Sequence, residues 1–307
     1  MSNRELVVLG TSSQAPTRYR NHNAYLLRWD EQGFLFDPGE GTQRQMIFAE
    51  VTATAITRIF ITHFHGDHCL GLAGMSQRIS LDRVPHEIPV HYPASGEVFF
   101  RRLRHASIYH DMSKIVPRPV KDDGVFFEDD RFTMRALRLD HGVETFGYRI
   151  QEADSYTMIP QKLREAGITG KEIGDLQKAG KLIKGDQEFR AEDFSVPRKG
   201  QSVAFIMDTR FCENAIHLAQ DVDMAICDST YLSSEQYDAT KNGHMTAAEA
   251  ATVAKEANAK MLVLTHFSQR YTSLKPFYEE ASKIHPNVVV AKDCKRISFK
   301  SERSETS

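Results

Sequence analysis

Short apolar runs alternate with polar, glycine-bearing turns along most of the 307-residue chain. Runs rich in Val, Ile, Leu and Phe predict strands, and the longer stretches between them leave room for helices. Residues 5–9 predict a strand running into a turn at Gly10-Thr11. Residues 24–29 and 33–37 predict two more, joined at Asp30-Glu31-Gln32. The stretch Asp37-Pro38-Gly39-Glu40-Gly41-Thr42-Gln43 predicts a tight turn that opens a helix from Thr42. Arg58-Ile59-Phe60-Ile61 predicts a buried strand. Gly71 and Gly74 are expected to let backbone pass close before a helix through Gln77-Arg78. A strand follows at 89–92, then an ordinary solvated helical face, Arg101-Arg102-Leu103-Arg104-His105. Residues 132–139 and 146–150 predict paired strands; 201–207, 222–227 and 261–264 predict buried ones. Residues 247–258 form a helical pattern with Thr246 as N-cap and Glu249 at the capping-box position. Strands at 288–291 and 296–299 close the fold, and 301–307 are expected to be disordered.

One region breaks the pattern. Residues 151–200 have few large apolar side chains and many glycines (167, 170, 174, 180, 185 and 200). Six basic residues (Lys162, Arg164, Lys171, Lys178, Lys181, Lys184) stand against three acids (Glu165, Glu172, Asp175) between 161 and 184. This predicts an insertion of short helices with a mildly basic tip, because a structureless loop of such length is unusual in a compact domain unless functional. The expected organisation is one domain in two halves, 1–150 and 201–300, with the insertion at 151–200 and a tail at 301–307.

Composition narrows the class. The chain is 41% hydrophobic and 26% charged, ordinary for a globular enzyme. No apolar run reaches membrane-spanning length and no basic-then-apolar leader precedes the first strand, so the expectation is a cytoplasmic protein without a membrane partner. Cys69, Cys212, Cys227 and Cys294 form no CxxC pair, which argues against a disulfide framework or a cysteine zinc site. The formal net charge of −2 argues against a general cationic coat but leaves room for a local basic patch.

The chemistry concentrates in Thr62-His63-Phe64-His65-Gly66-Asp67-His68, directly after a predicted strand. Loops at the carboxyl ends of strands are where open α/β sheets place their ligands. Imidazole and carboxylate are zinc ligands, and His63 and His65 can share one metal while Asp67 and His68 reach a second. Three further strands end in a metal-type residue: His141, Asp208 and His266. Gathered at one edge of a sheet, these supply five imidazoles and two carboxylates, a set suited to two divalent metals with Asp208 as the bridge. Two such metals hold a hydroxide at neutral pH and stabilise attacking and leaving oxygens, which implies hydrolysis of an ester or phosphodiester.

The His-x-His-x-Asp-His motif with strand-end His, Asp and His resembles the metallo-β-lactamase superfamily. Within it the chain is similar to the ribonuclease Z family, on Leu9-Gly10-Thr11, on Pro16-Thr17-Arg18-Tyr19-Arg20-Asn21, on Phe36-Asp37-Pro38-Gly39-Glu40-Gly41-Thr42-Gln43 and on the position of the insertion. The resemblance implies an α/β fold, the metallo-β-lactamase αββα sandwich with an inserted, protruding arm. It implies two zinc ions per chain, with manganese or another divalent metal as the alternative. One would be held by His63, His65 and His141, the other by Asp67, His68 and His266, with Asp208 bridging. It also implies a homodimer that removes the 3′ trailer from precursor tRNA. A metal-activated hydroxide would attack, and a histidine would protonate the leaving 3′ oxygen.

By the same resemblance Asp67, His244 and Asp228 are catalytic, His244 being the proton donor and Asp228 its partner where the family usually has glutamate. Arg18, Arg20 and Asn21 in the loop, and Lys171, Lys178 and Lys181 in the arm, are expected to bind substrate. The chain departs from the family in Met207 before Asp208, in the shorter Asp228, and in an arm that lacks a Gly-Pro step. Two other functions compete: a phosphodiesterase or related hydrolase of the same fold acting on small substrates, and an inactive metal-bearing RNA-binding protein. The complete ligand set and His244 argue against the second. The arm and the 16–21 loop argue against the first.

Overall fold

The computed structural model describes residues 4–299; the expected disordered tail at 301–307 lies outside them. The elements run in chain order as β1 (Arg4–Gly10), β2 (Ala24–Trp29), β3 (Gln32–Phe36), α1 (Thr42–Phe48), β4 (Arg58–Phe60), α2 (Gly66–Cys69), α3 (Gly71–Leu81), β5 (Ile88–Pro93), α4 (Glu97–Arg104), β6 (Ile115–Val120), β7 (Gly124–Glu128), β8 (Phe132–Arg138) and β9 (Phe146–Glu152). Then come β10 (Ser155–Met158), α5 (Pro160–Glu165), α6 (Lys171–Ala179), β11 (Lys181–Lys184), β12 (Gln187–Arg190) and β13 (Ser195–Arg198). The chain closes with β14 (Ser202–Ile206), α7 (Glu213–Ala219), β15 (Met224–Asp228), α8 (Gln236–Asn242), α9 (Ala247–Glu256), β16 (Leu262–Thr265), α10 (Lys275–Ala281), β17 (Val288–Val290) and β18 (Arg296–Ser298).

Two seven-stranded sheets carry the larger unit, in the orders β18-β1-β2-β3-β4-β5-β6 and β17-β16-β15-β14-β9-β8-β7. β3 to β6 are parallel in the first sheet and β14 to β17 in the second. Strands such as β14 and β15 are buried along their whole length, as continuous apolar runs covered on both faces should be. Aromatic side chains fill the space between the sheets: Phe36 stacks on Phe60 at 4.7 Å and on Phe205 at 4.5 Å. A second apolar layer, with Met46, Leu72, Met75 and Ile79, seats α1 and α3 on the first sheet. A third, rich in alanine along α9, seats α7, α9 and α10 on the other. The result is a four-layer αββα sandwich. α9 begins at the expected capping box, in which Thr246 accepts from the Glu249 N–H and Glu249 answers at the Thr246 N–H.

Several expectations change. The metal-type strand ends come from two sheets and not one: β4 belongs to the first, and β8, β14 and β16 to the second. Arg104 is not on a solvated face. It is buried and donates to Tyr109, Asp111 and Ser113. Gly71 is a true close approach, since a Cβ there would lie 1.9 Å from the Gly39 carbonyl oxygen, whereas Gly74 has only the end of the Gln43 side chain, at 3.4 Å.

Glu128–Thr133 and Gln151–Ser202 form a second compact unit. It contains the short helices α5 and α6, and also two antiparallel pairs, β10 with β13 and β11 with β12. Its buried core is small: Leu163, Ile168 and Leu176, flanked by Met158, Ile173, Leu182, Phe189 and Phe194.

Candidate metal centre

Each candidate ligand is delivered by a short break after regular structure. His63 and His65 follow β4, and Asp67 and His68 lie in the single turn of α2. His141 follows β8, Asp208 follows β14 and His266 follows β16. The turns are sharp. Asp208 and His266, together with Asp37 after β3, take left-handed backbone conformations (φ 47°, 64° and 44°). Such conformations disfavour side-chain-bearing residues and persist where surrounding contacts hold them.

The ring orientations are fixed from outside the cluster. Asp37 accepts from His68 Nδ1 at 2.8 Å. The Gly243 carbonyl lies 2.9 Å from His141 Nδ1. Thr62 Oγ1 donates to Asp37 and therefore accepts from His63 Nδ1 at 3.0 Å. Thr230 Oγ1 donates to Asp228 and accepts from His266 Nδ1 at 2.7 Å. All four rings thus engage Nδ1 outside the cluster and turn Nε2 inward, where a neutral ring offers the lone pair a metal ligand needs.

Inside, lone pairs face one another. His65 Nδ1 lies 2.9 Å from His63 Nε2 and 3.3 Å from His141 Nε2. His68 Nε2 lies 3.2 Å from His266 Nε2. Asp208 stands between the groups. Its Oδ2 is 3.6 Å from His63 Nε2 and 3.7 Å from His141 Nε2, while its Oδ1 is 3.2 Å from His68 Nε2 and 3.1 Å from His266 Nε2. Oδ1 is buried and makes no directed hydrogen bond. Asp67 Oδ2 faces the second group, 3.4 Å from His68 Nε2 and 3.5 Å from His266 Nε2. Converging lone pairs around a buried, unpartnered carboxylate oxygen are stable only around cations, so the residues present fit divalent metals.

The electrostatics agree. Asp37, Asp67, Asp208 and Asp228 are all buried, and buried carboxylates need nearby positive charge. Burial alone would raise the Asp208 carboxyl, but His266, His68 and His244 outweigh it and hold it well below the usual range. His68 does the same for Asp67, also against burial. Burial pushes His63, His65 and His141 toward the neutral form. Burial acts likewise on His266, yet Asp208 and Asp228 overcome it and raise that imidazole to about 10, the same demand for positive charge that a bound cation would answer by displacing the ring proton.

A cavity of about 810 Å³ opens over the cluster, lined by His65, Asp67, His141, Asp208, His244 and His266 with Tyr231 and Arg270. His244 Nδ1 meets Asp228 Oδ2 at 2.9 Å, so the shorter acid still reaches its histidine. Arg18 is exposed on its loop. Arg20 and Asn21, also expected to bind substrate, make contacts within the protein. Arg20 donates to the carbonyls of Ser268 and Tyr271, and Asn21 Nδ2 donates to that of Glu40, so these side chains build the loop. Lys171, Lys178 and Lys181 are exposed in the second unit. Sequence reasoning missed the outer partners Asp37, Thr62, Thr230 and Gly243. Asp37 had a usable signal, since it is an acid at a strand end like the ligands themselves.

Comparisons with known proteins now carry weight. Residues 17–145 match the metallo-β-lactamase superfamily, and residues 181–267 match a β-lactamase superfamily domain. With the sandwich and the His/Asp cluster, these matches define a metallo-β-lactamase-fold hydrolase that uses divalent metal. The chain is 50% identical to ribonuclease Z of Protochlamydia amoebophila, over 95% of this chain and 96% of that one. It is 50% identical to ribonuclease Z of Streptomyces coelicolor, over 99% and 100%. Human tRNase Z, short form, superposes with a TM-score of 0.71 at 26% identity, over 96% of this chain and 99% of that one. The chain belongs to the ribonuclease Z family and is a metal-dependent endoribonuclease. Among the described residues no helix is long and apolar enough to cross a membrane.

Proposed function

We propose that this protein removes the 3′ trailer from precursor tRNA in the cytoplasm, using two zinc ions per chain. The observation that carries the two-metal reading is the Asp208 carboxylate, with one oxygen toward His63 and His141 and the other toward His68 and His266. His63, His65 and His141 would hold one metal and Asp67, His68 and His266 the other, with the Asp208 carboxylate shared between the two groups. When bound, the metals supply an activated water and neutralise charge on the phosphoryl oxygens. Asp228 accepts from His244 Nδ1, which orients the ring, and in its imidazolium form His244 gives the Nε2 proton to the departing 3′ oxygen and becomes neutral. The exposed Arg18, Lys171, Lys178 and Lys181 contribute phosphate contacts.

A homodimer is part of this reading. The exposed apolar side chains Ile47 and Phe48 of α1, Leu81 of α3, and Ile108 and Met112 after α4 support it. A monomeric mass in solution would remove that part.

One observation favours a small phosphodiester as the substrate instead: Lys184 of the insertion is paired with Glu172, which weakens its basic tip. Cleavage of an in vitro precursor tRNA beside bis(p-nitrophenyl) phosphate decides between the two. Accurate trailer removal supports the tRNA reading, and turnover of the small ester alone contradicts it.

A further inference from the structure

We propose that Arg210 is the positioning residue that sets His244 against the metal centre. The inference rests on the reading of His244 as proton donor. Arg210 lies two residues after Asp208, in the turn between β14 and α7. Its Nη1 donates to Asp140 Oδ1 at 2.9 Å and its Nε to the Thr240 carbonyl at 2.7 Å. Asp140 immediately precedes His141. Thr240 is in the last turn of α8, and Gly243 and His244 follow directly. One planar guanidinium therefore ties together the loops that carry Asp208, His141 and His244.

The two arms of this fork differ in importance. The Asp140 loop is also held by main-chain contacts: the Arg210 N–H donates to the Asp140 carbonyl at 2.9 Å, and Thr209 Oγ1 accepts from the Asp140 N–H at 3.1 Å. Those ties survive removal of the side chain. The end of α8 depends on the fork more heavily. Its last carbonyls are orphan acceptors and its dipole favours a cation there. The Arg210 Nε–H···O=C bond to Thr240 supplies both the donor and the charge.

The turn beyond α8 has little room to drift. Gly243 takes a left-handed conformation (φ 79°), and a Cβ on it would lie 2.6 Å from His141 Nδ1. The His244 N–H donates to the Ala239 carbonyl at 2.9 Å, so the histidine moves with the helix end. Releasing α8 displaces His244 and loosens the Gly243 carbonyl on His141 Nδ1, while the main-chain ties of Asp140 keep His141 among the metal ligands. A misplacement of about 1 Å can cost on the order of 10²-fold in rate. Lysine cannot reproduce a two-armed planar fork.

The test compares Arg210→Ala, Arg210→Lys and His244→Ala in the full chain, with Arg210→Gln as a second variant should Arg210→Ala fold poorly. Precursor tRNA cleavage, bis(p-nitrophenyl) phosphate hydrolysis and metal content are measured for each. We expect Arg210→Ala to lower kcat on precursor tRNA by roughly 10–10²-fold with KM and metal content unchanged. The nitrophenyl ester, whose leaving group needs little protonation, should be largely spared. Arg210→Lys should fall between. The double variant with His244→Ala should be no slower than His244→Ala alone. Equal losses on both substrates, loss of metal, or multiplying losses in the double variant would overturn the proposal. If His244→Ala itself slows both substrates equally, the proton-donor reading fails. If His244→Ala is selective and Arg210→Ala is not, only the role of Arg210 fails.

Discussion

The metal centre and the inserted unit are built to different tolerances. In the first, four imidazoles are each locked by a partner outside the cluster, and four carboxylates are buried. In the second, three fully packed apolar residues hold together two small helices and two strand pairs. Most of its charges are exposed, with surface pairs such as Arg190 with Glu188, which contribute little to stability. The difference teaches what each task requires. Bond cleavage needs ligands placed to fractions of an ångström, so the sequence invests in outer partners. If the inserted unit contacts phosphates as proposed, it needs positive charge only within a Debye length, so its fold can be lighter.

The comparison can be broken at either end. Asp208→Ala removes the charge between the two ligand groups and should have the largest effect. Losing several kcal/mol of metal-derived stabilisation corresponds to about 10³-fold or more in kcat. Metal content should fall with it, and retention of both metals would refute the bridging role. His244→Ala comes next, with a loss of about 10²–10⁴-fold on precursor tRNA at unchanged metal content. Steady-state kinetics on RNA and on a nitrophenyl ester check this. A loss shared equally by the two substrates would make His244 structural.

Asp228→Ala has a smaller effect on rate, because the carboxylate orients the ring without transferring the proton. It also carries a signature that His244→Ala lacks. Asp228 accepts from Thr230, which holds His266, so metal affinity should drop roughly 10–10²-fold. Competition with a chromogenic chelator measures that affinity, and equal affinity in both variants would cut Asp228 from the second ligand group.

Deleting residues 161–184 should raise KM for precursor tRNA and flatten its salt dependence while sparing the small ester. Equal loss on both substrates would join the two regions that the comparison separates. Leu176→Ala is the mildest test. It removes the most buried side chain of the small core and should cost about 2–5 kcal/mol locally. Limited proteolysis should then cut within the insertion while metal content and ester hydrolysis stay unchanged.

Much of this architecture was legible from residue pattern. β2, β15 and α9 fall where apolar runs and the Thr246–Glu249 capping box place them, because those signals are local. The seven candidate ligands stood out for the same reason: His141, Asp208 and His266 follow apolar strands, and His63, His65, Asp67 and His68 crowd into one short motif after β4. β6 was not legible. Its sequence Ile-Val-Pro-Arg-Pro-Val carries two prolines, which strands tolerate at a sheet edge, and β6 is an edge strand. The division of the site between two sheets was hidden as well, since strand order is fixed by long-range pairing. Thr62, Thr230 and Gly243 look like ordinary turn residues until the fold brings their oxygens to the rings. Arg104 read as a surface cation and turned out to be an internal donor, a role set by partners in an irregular loop.

The central claim is a two-metal centre bridged by Asp208. Elemental analysis of the purified protein, set against its Asp208→Ala variant, tests it most directly. The account predicts two divalent metal ions per chain, zinc foremost, and marked loss in the variant; a consistent value of one or none in the unmodified protein would contradict it.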